Sequence, residues 1–278
     1  MTGIVYTFLT HENASPRTFG LVVDQRRDGD CAFVPDIPAL AQMANAQSGA
    51  CAYGKIAIVT SKGIHTYQVT EGGLAEAVFC GNSTAAALKA RGVEQSEDLL
   101  LFGAAAGPYL LKAAIDGDNV TQSWTFPAPA VETGEWLGRR VLFVRAVNDY
   151  AILLGGLPEA TDPEAVRRDI VGSDLACKLA VVSDPAGAPT GEPVVEFFNS
   201  NGQHGDAPLT GLAAFALAAL SDAELNSLFP AGELRCATAN GPRTVSLPGA
   251  NAGKHAEVTL EFRSVNVNLE PIETEVTG

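Results

Sequence analysis

Two Ala-rich segments that are apolar on almost every side most constrain the fold of this 278-residue chain. They lie at residues 83–91 and 210–220, and each follows a polar loop. A helix without a polar face must be surrounded by other elements, so both segments are predicted to be buried helices. The loops reach their helices near Cys80 and Pro208, which are separated by close to half of the chain. This spacing predicts an internal repeat of two similar lobes, each with one buried helix.

Most of the remaining sequence consists of short β-branched and apolar runs closed by Gly, Pro, Asn or Asp. Because these predicted strands outnumber the helices and mostly follow one another directly, the predicted fold class is α+β. A Pro-containing stretch at 126–130 divides the chain into predicted lobes of 1–126 and 127–278. Predicted strands are 5–9, 18–23, 56–60, 65–69, 99–102, 109–115, 120–125, 141–146, 150–154, 179–182, 194–199, 243–246 and 257–263. Further predicted helices are 37–47, 163–170 and 222–228.

Charge and cysteine usage exclude several classes of protein. Lys and Arg number 18 against 32 Asp and Glu, a net charge of −14, so binding to a nucleic acid backbone or an anionic membrane is not expected. The N-terminus lacks the pattern of a signal peptide, and no apolar run approaches the ~20 residues of a membrane span. The five cysteines are odd in number and widely spaced, and no Cys/His cluster has metal-ligand spacing. We therefore expect a cytoplasmic protein with reduced thiols and no metal site.

The first candidate site is the loop that contains Cys80, immediately before the first buried helix. Gly81, Asn82 and Ser83 suit the start of a helix, where free backbone N–H groups and the positive end of the helix dipole face the preceding residue. Both features favour the reactive thiolate form of a cysteine. The alternative is that Cys80 is a small buried apolar residue, as most cysteines are.

The second candidate site is the polar loop at 199–211, which precedes the most hydrophobic helix of the chain. Backbone N–H groups there, with the side chains of His204 and Thr210 and the backbone at Gly211, suit the binding of a carboxylate. The alternative is a connecting loop with Asx turns and a solvent-facing histidine.

A third candidate is Lys55, which opens the apolar strand predicted at 56–60. A lysine withdrawn from water can act as an acid or base near neutral pH. The alternative is that Lys55 extends to solvent, and Lys62 resembles a turn residue still more. The sequence has no dinucleotide fingerprint, no phosphate-binding loop and no nucleophile elbow, so no cofactor is expected.

The loop Cys80-Gly81-Asn82 before a buried helix, with a degenerate copy in the second half, resembles the diaminopimelate epimerase-like superfamily. The resemblance implies two pseudosymmetric lobes, each a curled sheet or barrel around a central helix, with an active site between them. Within the superfamily the chain is most similar to the 2-methylaconitate cis-trans isomerase family, on residues 55–59, 67–69 and 80–82 and on His204 followed by 208–211. In that family the residues matching Lys55 and Cys80 are the proposed acid/base pair.

Three differences from members of the superfamily bear on the mechanism and the substrate. Strict epimerases of the superfamily carry a second cysteine where this chain has Pro208, so a two-thiol mechanism lacks its partner. The N-terminal GGTSKG-like segment of the family is replaced here by residues 13–17, where Ser15 is expected to bind substrate. The chain is also about a hundred residues shorter than typical members. Short relatives include isomerases that make 4-alkyl-proline precursors in antibiotic biosynthesis.

The sequence thus supports a cofactor-independent isomerase that moves a C=C double bond by 1,3-proton transfer in a small unsaturated carboxylic or imino acid. Cys80 and Lys55 are the predicted catalytic residues. His204 is the alternative to Lys55 as the acid/base partner of Cys80. Two alternatives stay open, an amino-acid epimerase or racemase of the same fold and a non-catalytic protein that binds small acids. The expected partner is the small carboxylate substrate, and a homodimer is one arrangement compatible with the sequence.

Overall fold

The computed structural model describes seventeen segments of the chain, and the statements below concern those segments. They are residues 4–12, 15–24, 54–60, 63–70, 73–76, 80–92, 99–102, 109–127, 130–145, 148–172, 177–183, 193–199, 202–204, 208–227, 233–238, 241–246 and 257–272. The strands are β1 (Ile4–Glu12), β2 (Ser15–Asp24), β3 (Gly54–Val59), β4 (Gly63–Thr70), β5 (Gly73–Glu76), β6 (Leu99–Phe102), β7 (Tyr109–Asp116), β8 (Asn119–Pro127), β9 (Ala130–Trp136), β10 (Arg139–Arg145), β11 (Asp149–Leu154), β12 (Lys178–Ser183), β13 (Val194–Asn199), β14 (Gly202–His204), β15 (Glu233–Thr238), β16 (Gly241–Ser246) and β17 (Glu257–Ile272). The helices are α1 (Gly81–Arg91), α2 (Pro163–Val171), α3 (Leu209–Ser221) and α4 (Ala223–Ser227).

The chain divides into two compact units, the first of which joins Met1–Trp124 to Arg263–Gly278. Its mixed sheet runs β17-β1-β2-β3-β4-β6-β7, and β5 forms a hairpin with β4. The pairs β2–β3 and β4–β6 are parallel, and the other pairs are antiparallel. Helix α1 packs against β1 to β4, so this sheet surrounds one helix.

The second unit is Thr125–Phe262, and its mixed sheet runs β9-β10-β11-β12-β13-β15-β16-β17. The pairs β11–β12 and β13–β15 are parallel, and β14 forms a hairpin with β13. Helix α3 packs against β10, β11 and β16, while α2 packs against β11 and β13. Residues from β10 to β13 form an apolar cluster with Val166, on which Ile170 and Val171 also pack. The sheet of this unit therefore carries helices on two faces.

The order of pairing is the same in the two units. Strands β1, β2, β3, β4, β5, β6 and β7 correspond in order to β10, β11, β12, β13, β14, β15 and β16, with matching parallel and antiparallel partners. Helix α1 follows β5, and α3 follows β14. The two copies of the predicted loop–helix repeat thus follow corresponding strands of the two units.

The two Ala-rich helices are buried as their composition predicts. From Ser83 to Leu88 every residue of α1 is buried, as is every residue of α3 from Thr210 to Ala219. An Ala-rich surface lets a helix approach strands closely, and an all-apolar helix gains most from complete enclosure. Both helices begin slightly earlier than predicted, at Gly81 and Leu209.

The other predicted elements differ in outcome. The predicted strands lie within observed ones, except that β3 ends at Val59 and the described part of β10 ends at Arg145, each one residue before the predicted end. The helix predicted at 163–170 is α2, and Asp162 caps it by accepting a hydrogen bond from Glu164 N. The helix predicted at 37–47 lies outside the described residues. Strands β5, β9, β14 and β15 were not predicted, because three of them are short or polar and β9 follows the Pro-containing stretch directly.

The division of the chain differs at its C-terminal end from the lobes predicted at 1–126 and 127–278. Strand β17 pairs with β16 through Phe262 and Glu261, and farther along with β1 from Asn266 to Ile272. Its last part therefore belongs to the first unit by its contacts. Sequence order cannot reveal this, because the partner strand β1 lies at the opposite end of the chain.

None of the described helices is long and apolar enough to span a membrane. Among the described residues, no group of three or more His, Cys, Asp or Glu side chains is placed to hold a metal ion.

Candidate functional site

Cys80 is the N-cap residue of α1, with an extended backbone at φ −133° and ψ 108°. Its carbonyl oxygen accepts hydrogen bonds from the backbone N–H of Thr84 at 2.9 Å and from Thr84 Oγ1 at 3.0 Å. The cysteine side chain makes no capping hydrogen bond to the helix and is half-buried. The backbone of Cys80 thus closes the first turn, while its thiol stands at the positive end of α1.

Gly81, Asn82 and Ser83 form the first turn of α1 directly after the thiol. Backbone N–H groups of a first turn have no acceptor within the helix, and together with the helix dipole they make a helix N-terminus favourable for an anion. The side chain of Ser83 is fully buried, and its Oγ has no hydrogen-bond partner among the described residues. The first turn of α1 therefore combines a thiol, backbone donors and a hydroxyl group.

Two buried polar side chains of β8 also reach this turn. Gln122 Nε2 donates a hydrogen bond of 2.9 Å to the carbonyl oxygen of Gly81, and Trp124 Nε1 donates one of 3.2 Å to Gln122 Oε1. Neither residue was singled out from the sequence. A signal was present, because Gln122 takes an inward position between buried Val120 and Trp124 where alternation predicts an apolar residue.

Lys55 is half-buried near the start of β3, a strand against which α1 packs. It pairs in register with Gly20 of β2 and with Gln68 of β4. At Gly20 a Cβ atom would lie 2.0 Å from the carbonyl oxygen of Lys55 and 2.7 Å from Phe8 Cε1. Close packing of β2 on β3 at this point therefore requires glycine and fixes the backbone of Lys55.

The remaining predicted site residues lie on strands. Ser15 begins β2 opposite Glu12 of β1, in the first unit. His204 ends β14 opposite Phe197 of β13, in the second unit. Lys62, the alternative to Lys55, lies outside the described residues.

The first turn of α3 contains Thr210 and Gly211 and follows Pro208, its N-cap residue. The buried hydroxyl groups of Tyr150 and Thr210 share a hydrogen bond of 3.0 Å. Burial raises the pKa of the Tyr150 phenol far above its usual value, which the bond to Thr210 opposes. Lys178 Nζ lies 5.7 Å from the centre of the Tyr150 ring, a cation–π distance. Tyr150 is the neutral hydrogen-bond partner of this turn, a role that its place in a predicted strand does not reveal.

Gly211 lets α3 approach β13. A Cβ atom there would lie 2.5 Å from Cε1 and 2.7 Å from Cδ1 of Phe197, closer than real Cβ atoms come. The ring of Phe197 is also edge-to-face with Tyr150, their centres 6.2 Å apart. The aromatic residues of β11 and β13 thus form the wall against which the first turn of α3 rests.

A cavity of about 300 Å³ lies in the second unit, near the C-terminal end of α2. None of its described lining residues is a predicted site residue. They are Glu132, Phe143, Val144, Arg145, Asp149, Tyr150, Ile170, Val171 and Cys177.

The structure thus gathers four predicted site residues, Cys80 to Ser83, at the start of α1, and two, Thr210 and Gly211, at the start of α3. Cys80 and Pro208 are the N-cap residues of the two central helices. Cys80 and Pro208, which the sequence repeat matches with each other, therefore occupy equivalent positions in the two units.

Comparison with known proteins identifies the fold. The chain resembles solved structures that share the diaminopimelate epimerase-like fold, and described features of both units agree with that architecture. One is a phenazine biosynthesis PhzC/PhzF protein from Clostridium difficile, with a TM-score of 0.60 and 13% identity. Others are a predicted epimerase from Pseudomonas aeruginosa (TM-score 0.61, 12% identity) and a PhzF-family phenazine biosynthesis protein from Bacillus anthracis (TM-score 0.56, 13% identity). In all three comparisons the match covers 99% of this chain and 100% of the other.

No protein family and no curated protein matches the chain by sequence. At 12–13% identity the structural neighbours define the fold alone.

Proposed function

We propose that the protein is a cofactor-independent isomerase that shifts a C=C double bond by 1,3-proton transfer in a small unsaturated carboxylic or imino acid. One side chain removes an allylic proton and leaves a dienolate or its aza-analogue, and a second returns a proton two carbons away. The bonding electrons move along the three-carbon unit, so neither an oxidant nor a reductant is needed. Cys80 and Lys55 are the proposed acid/base pair.

The observation that carries the proposal is the place of Cys80 as N-cap of a buried helix. The first turn of α1 places backbone N–H groups and the positive end of the helix dipole beside this thiol, and such a helix start favours the binding of a substrate carboxylate. Donors of this kind lower the energy of a dienolate, because negative charge moves onto the carboxylate as the proton leaves. A thiol beside such donors is suited to proton transfer next to a carboxylate.

The repeated pairing order supports Lys55 as the second group. Thr70 pairs with Gly73 and Asn199 with Gly202, so aligning the two hairpins matches Gln68 with Phe197. The partners of these residues, Lys55 and Ala180, then correspond.

Phe197 touches the first turn of α3 at Gly211. Residues at the matching positions of the first unit are therefore expected to face the first turn of α1, where Cys80 stands. This relationship favours Lys55 as the partner of Cys80, while His204, Ser15 and Thr210 are proposed substrate-binding residues.

The fold supports the general class. Two neighbours are phenazine biosynthesis proteins by name, and a third is described as a predicted epimerase, so an isomerase-type reaction fits the architecture. An epimerase is the alternative, but Pro208 stands where the strict epimerases resembled by the sequence carry their second cysteine. Proline cannot titrate, which favours an allylic shift over a two-thiol inversion.

We further propose a substrate class from the sequence resemblance to the 2-methylaconitate isomerase family. The shorter chain suits a smaller acid than those of typical members, such as an unsaturated precursor of a 4-alkyl-proline in antibiotic biosynthesis.

Proton exchange in D₂O tests the proposal. Purified protein is incubated with a panel of small unsaturated carboxylic and imino acids, and NMR follows the position of the double bond and of the deuterium. We expect a moved double bond together with deuterium at the carbon that receives the returned proton, two carbons from the one that loses its proton, and loss of both in Cys80→Ser. Cys236→Ser is a matched control, because that thiol is buried on β15 of the second unit.

Other outcomes of this experiment contradict the isomerase. Deuterium at Cα with inversion and an unmoved double bond would establish the epimerase instead. Ligand binding that persists in Cys80→Ser, with no turnover of any candidate by the wild type, would establish a non-catalytic binding protein.

A further inference from the structure

The hydroxyl groups of Tyr150 and Thr210 share one hydrogen bond of 3.0 Å, in which either oxygen can be the donor. Tyr150 is 1% exposed and Thr210 is 4% exposed, so water does not readily reach either hydroxyl. Among the described residues, neither hydroxyl makes a second hydrogen bond. Each hydroxyl carries one proton, and a single bond uses only one of the two. The pair therefore holds one O–H group that has no acceptor in the described part of the chain.

The place of Thr210 in α3 explains why its hydroxyl has no backbone acceptor. Inside a helix, a threonine hydroxyl commonly donates to the carbonyl oxygen four residues earlier, as Thr84 does to Cys80 in α1 at 3.0 Å. Thr210 is the second residue of α3, so the residue four positions before it precedes the helix. The carbonyl oxygen of Pro208, the N-cap residue, accepts from two backbone N–H groups of the helix instead. Thr210 thus lacks the usual intrahelical acceptor of a threonine.

The chemistry of the two hydroxyls favours Tyr150 as the donor in their shared bond. A phenol is a stronger acid than an aliphatic alcohol and hence the better donor. Burial raises the pKa of the Tyr150 phenol far above its usual value, so the phenol keeps its proton. When Tyr150 donates, the Thr210 oxygen accepts and the Thr210 proton is the one without an acceptor. Accepting this bond also strengthens the Thr210 hydroxyl as a donor, because successive hydrogen bonds polarise one another.

The start of α3 favours a negatively charged acceptor for this proton. Backbone N–H groups at a helix N-terminus and the positive end of the helix dipole attract an anion. The first turn of α3 contains no acidic residue of its own. A carboxylate at this turn would accept from the Thr210 hydroxyl and leave no proton of the pair without an acceptor.

We propose that Tyr150 is a positioning residue that, by donating to Thr210 Oγ1, directs the Thr210 hydroxyl proton to a ligand carboxylate at the first turn of α3. The donors then form a chain from Tyr150 through Thr210 to the carboxylate. Tyr150 acts on the ligand only through Thr210. That the carboxylate belongs to the substrate rests on the proposed isomerase function, whereas the O–H group without an acceptor depends only on the described geometry.

Binding of crotonate, with crotonamide as its uncharged counterpart, tests the proposal. NMR titration of the purified protein gives the dissociation constants. We expect crotonate to bind more tightly than crotonamide, and Thr210→Val to weaken crotonate binding by about tenfold or more, as expected for the loss of a hydrogen bond to a charged group. Tyr150→Phe keeps the threonine hydroxyl but removes its donor, so binding should weaken by about two- to fivefold. Thr210→Ser retains a hydroxyl and should bind crotonate nearly as tightly as the wild type.

Combined variants separate positioning from a loss of stability. In a Thr210→Val background, Tyr150→Phe should not weaken crotonate binding further, because the hydroxyl that Tyr150 positions is absent. Ile152→Val is the matched control, because Ile152 is fully buried on the same strand, two positions from Tyr150. This control should lower the free energy of unfolding without changing the dissociation constant of crotonate.

Several outcomes would overturn the positioning role. Equal losses of crotonate affinity in Ile152→Val and Tyr150→Phe, or an undiminished loss from Tyr150→Phe in the Thr210→Val background, would mean that Tyr150 acts only through stability. Crotonate that binds the wild type no more tightly than crotonamide would also reject the role. If Tyr150→Phe does not fold, Thr210→Val and Thr210→Ser decide. Equal crotonate affinity in these two variants rejects the role, and a loss confined to Thr210→Val supports it.

The same variants distinguish this inference from the proposed function. The expected pattern of crotonate affinities in a protein that isomerises none of the candidate acids upholds the positioning role and rejects the isomerase. An active isomerase whose crotonate affinity is unchanged in Tyr150→Phe rejects the positioning role and upholds the function.

Discussion

Tyr150 Oη and Thr210 Oγ1 lie 3.0 Å apart in the interior of the second unit, joining β11 to the first turn of α3. Both side chains are almost fully buried, so each hydroxyl depends on the other. Leaving one buried hydroxyl without its partner lowers the free energy of unfolding by about 1–3 kcal/mol. Removing both hydroxyls lowers it by less than the sum of the two single losses.

This bond leads to the first prediction. Tyr150→Phe and Thr210→Val should each lower the free energy of unfolding by about 1–3 kcal/mol, and the double variant should fall short of additivity by about 1 kcal/mol. Urea unfolding followed by circular dichroism provides the values. Additive losses would mean that the two hydroxyls do not stabilise each other.

The second prediction concerns Glu164, whose carboxylate accepts two hydrogen bonds from fully buried Arg167, at 2.8 and 3.0 Å. The Arg167 hydrogen bond lowers the pKa of Glu164, so the stabilisation is present above the usual pKa of the carboxyl and is lost as pH falls through the lowered value. Glu164→Gln should therefore cost about 1–3 kcal/mol at pH 7 and progressively less in acid. Unfolding of wild type and variant between pH 7 and pH 3 measures this difference, and a constant difference would contradict it.

Gly211 is the subject of the third prediction. Because alanine favours a helix more than glycine does, helix propensity alone predicts that Gly211→Ala stabilises α3 by about 1 kcal/mol. The ring of Phe197 would lie 2.5 Å from the new Cβ, so we expect a loss of about 1–3 kcal/mol instead. Thermal unfolding decides the sign. In a Phe197→Leu background, where a smaller side chain leaves room, the penalty of Gly211→Ala should shrink.

The fourth prediction ranks the described cysteines by reactivity. Cys80 is half-buried at a helix N-terminus, while Cys177 and Cys236 are buried. Cys80 should react with iodoacetamide at pH 7 faster than either of them, and a carboxylate substrate analogue should slow it. Mass spectrometry of peptides after brief labelling gives the order. Faster labelling of Cys177 without loss of activity would count against a role for Cys80.

The fifth prediction tests Lys55 once a substrate is found. Lys55→Ala should lower kcat by at least ~100-fold with little change in substrate affinity, because general acid–base groups typically contribute ~10²–10⁴-fold. Equilibrium binding and turnover are measured on the same preparation. Unchanged turnover in Lys55→Ala would transfer the role to His204, for which His204→Gln is the corresponding variant.

Some features of the protein follow from short stretches of sequence. The burial of α1 and α3 follows from their uniformly apolar composition, and the place of Cys80 close to the start of α1 follows from the polar loop that precedes this apolar segment. The strands follow from local β-branched runs, and the loop–helix repeat from its recurrence near the middle of the chain. Burial, helix starts and strands depend on residues close together in the sequence, and the repeat is visible as two similar segments, which is why the sequence alone determined these features.

Tertiary structure decided the features that join distant residues. Gln122 reaches Gly81 across 41 positions, and Tyr150 reaches Thr210 across 60. The final strand pairs with β1 at the other end of the chain. Local pattern reports which residues are buried, but the partner of a buried polar group depends on strand register and on which helix the sheet encloses. A one-residue change of register would turn Gln122 away from α1, so only the assembled sheet determines this contact.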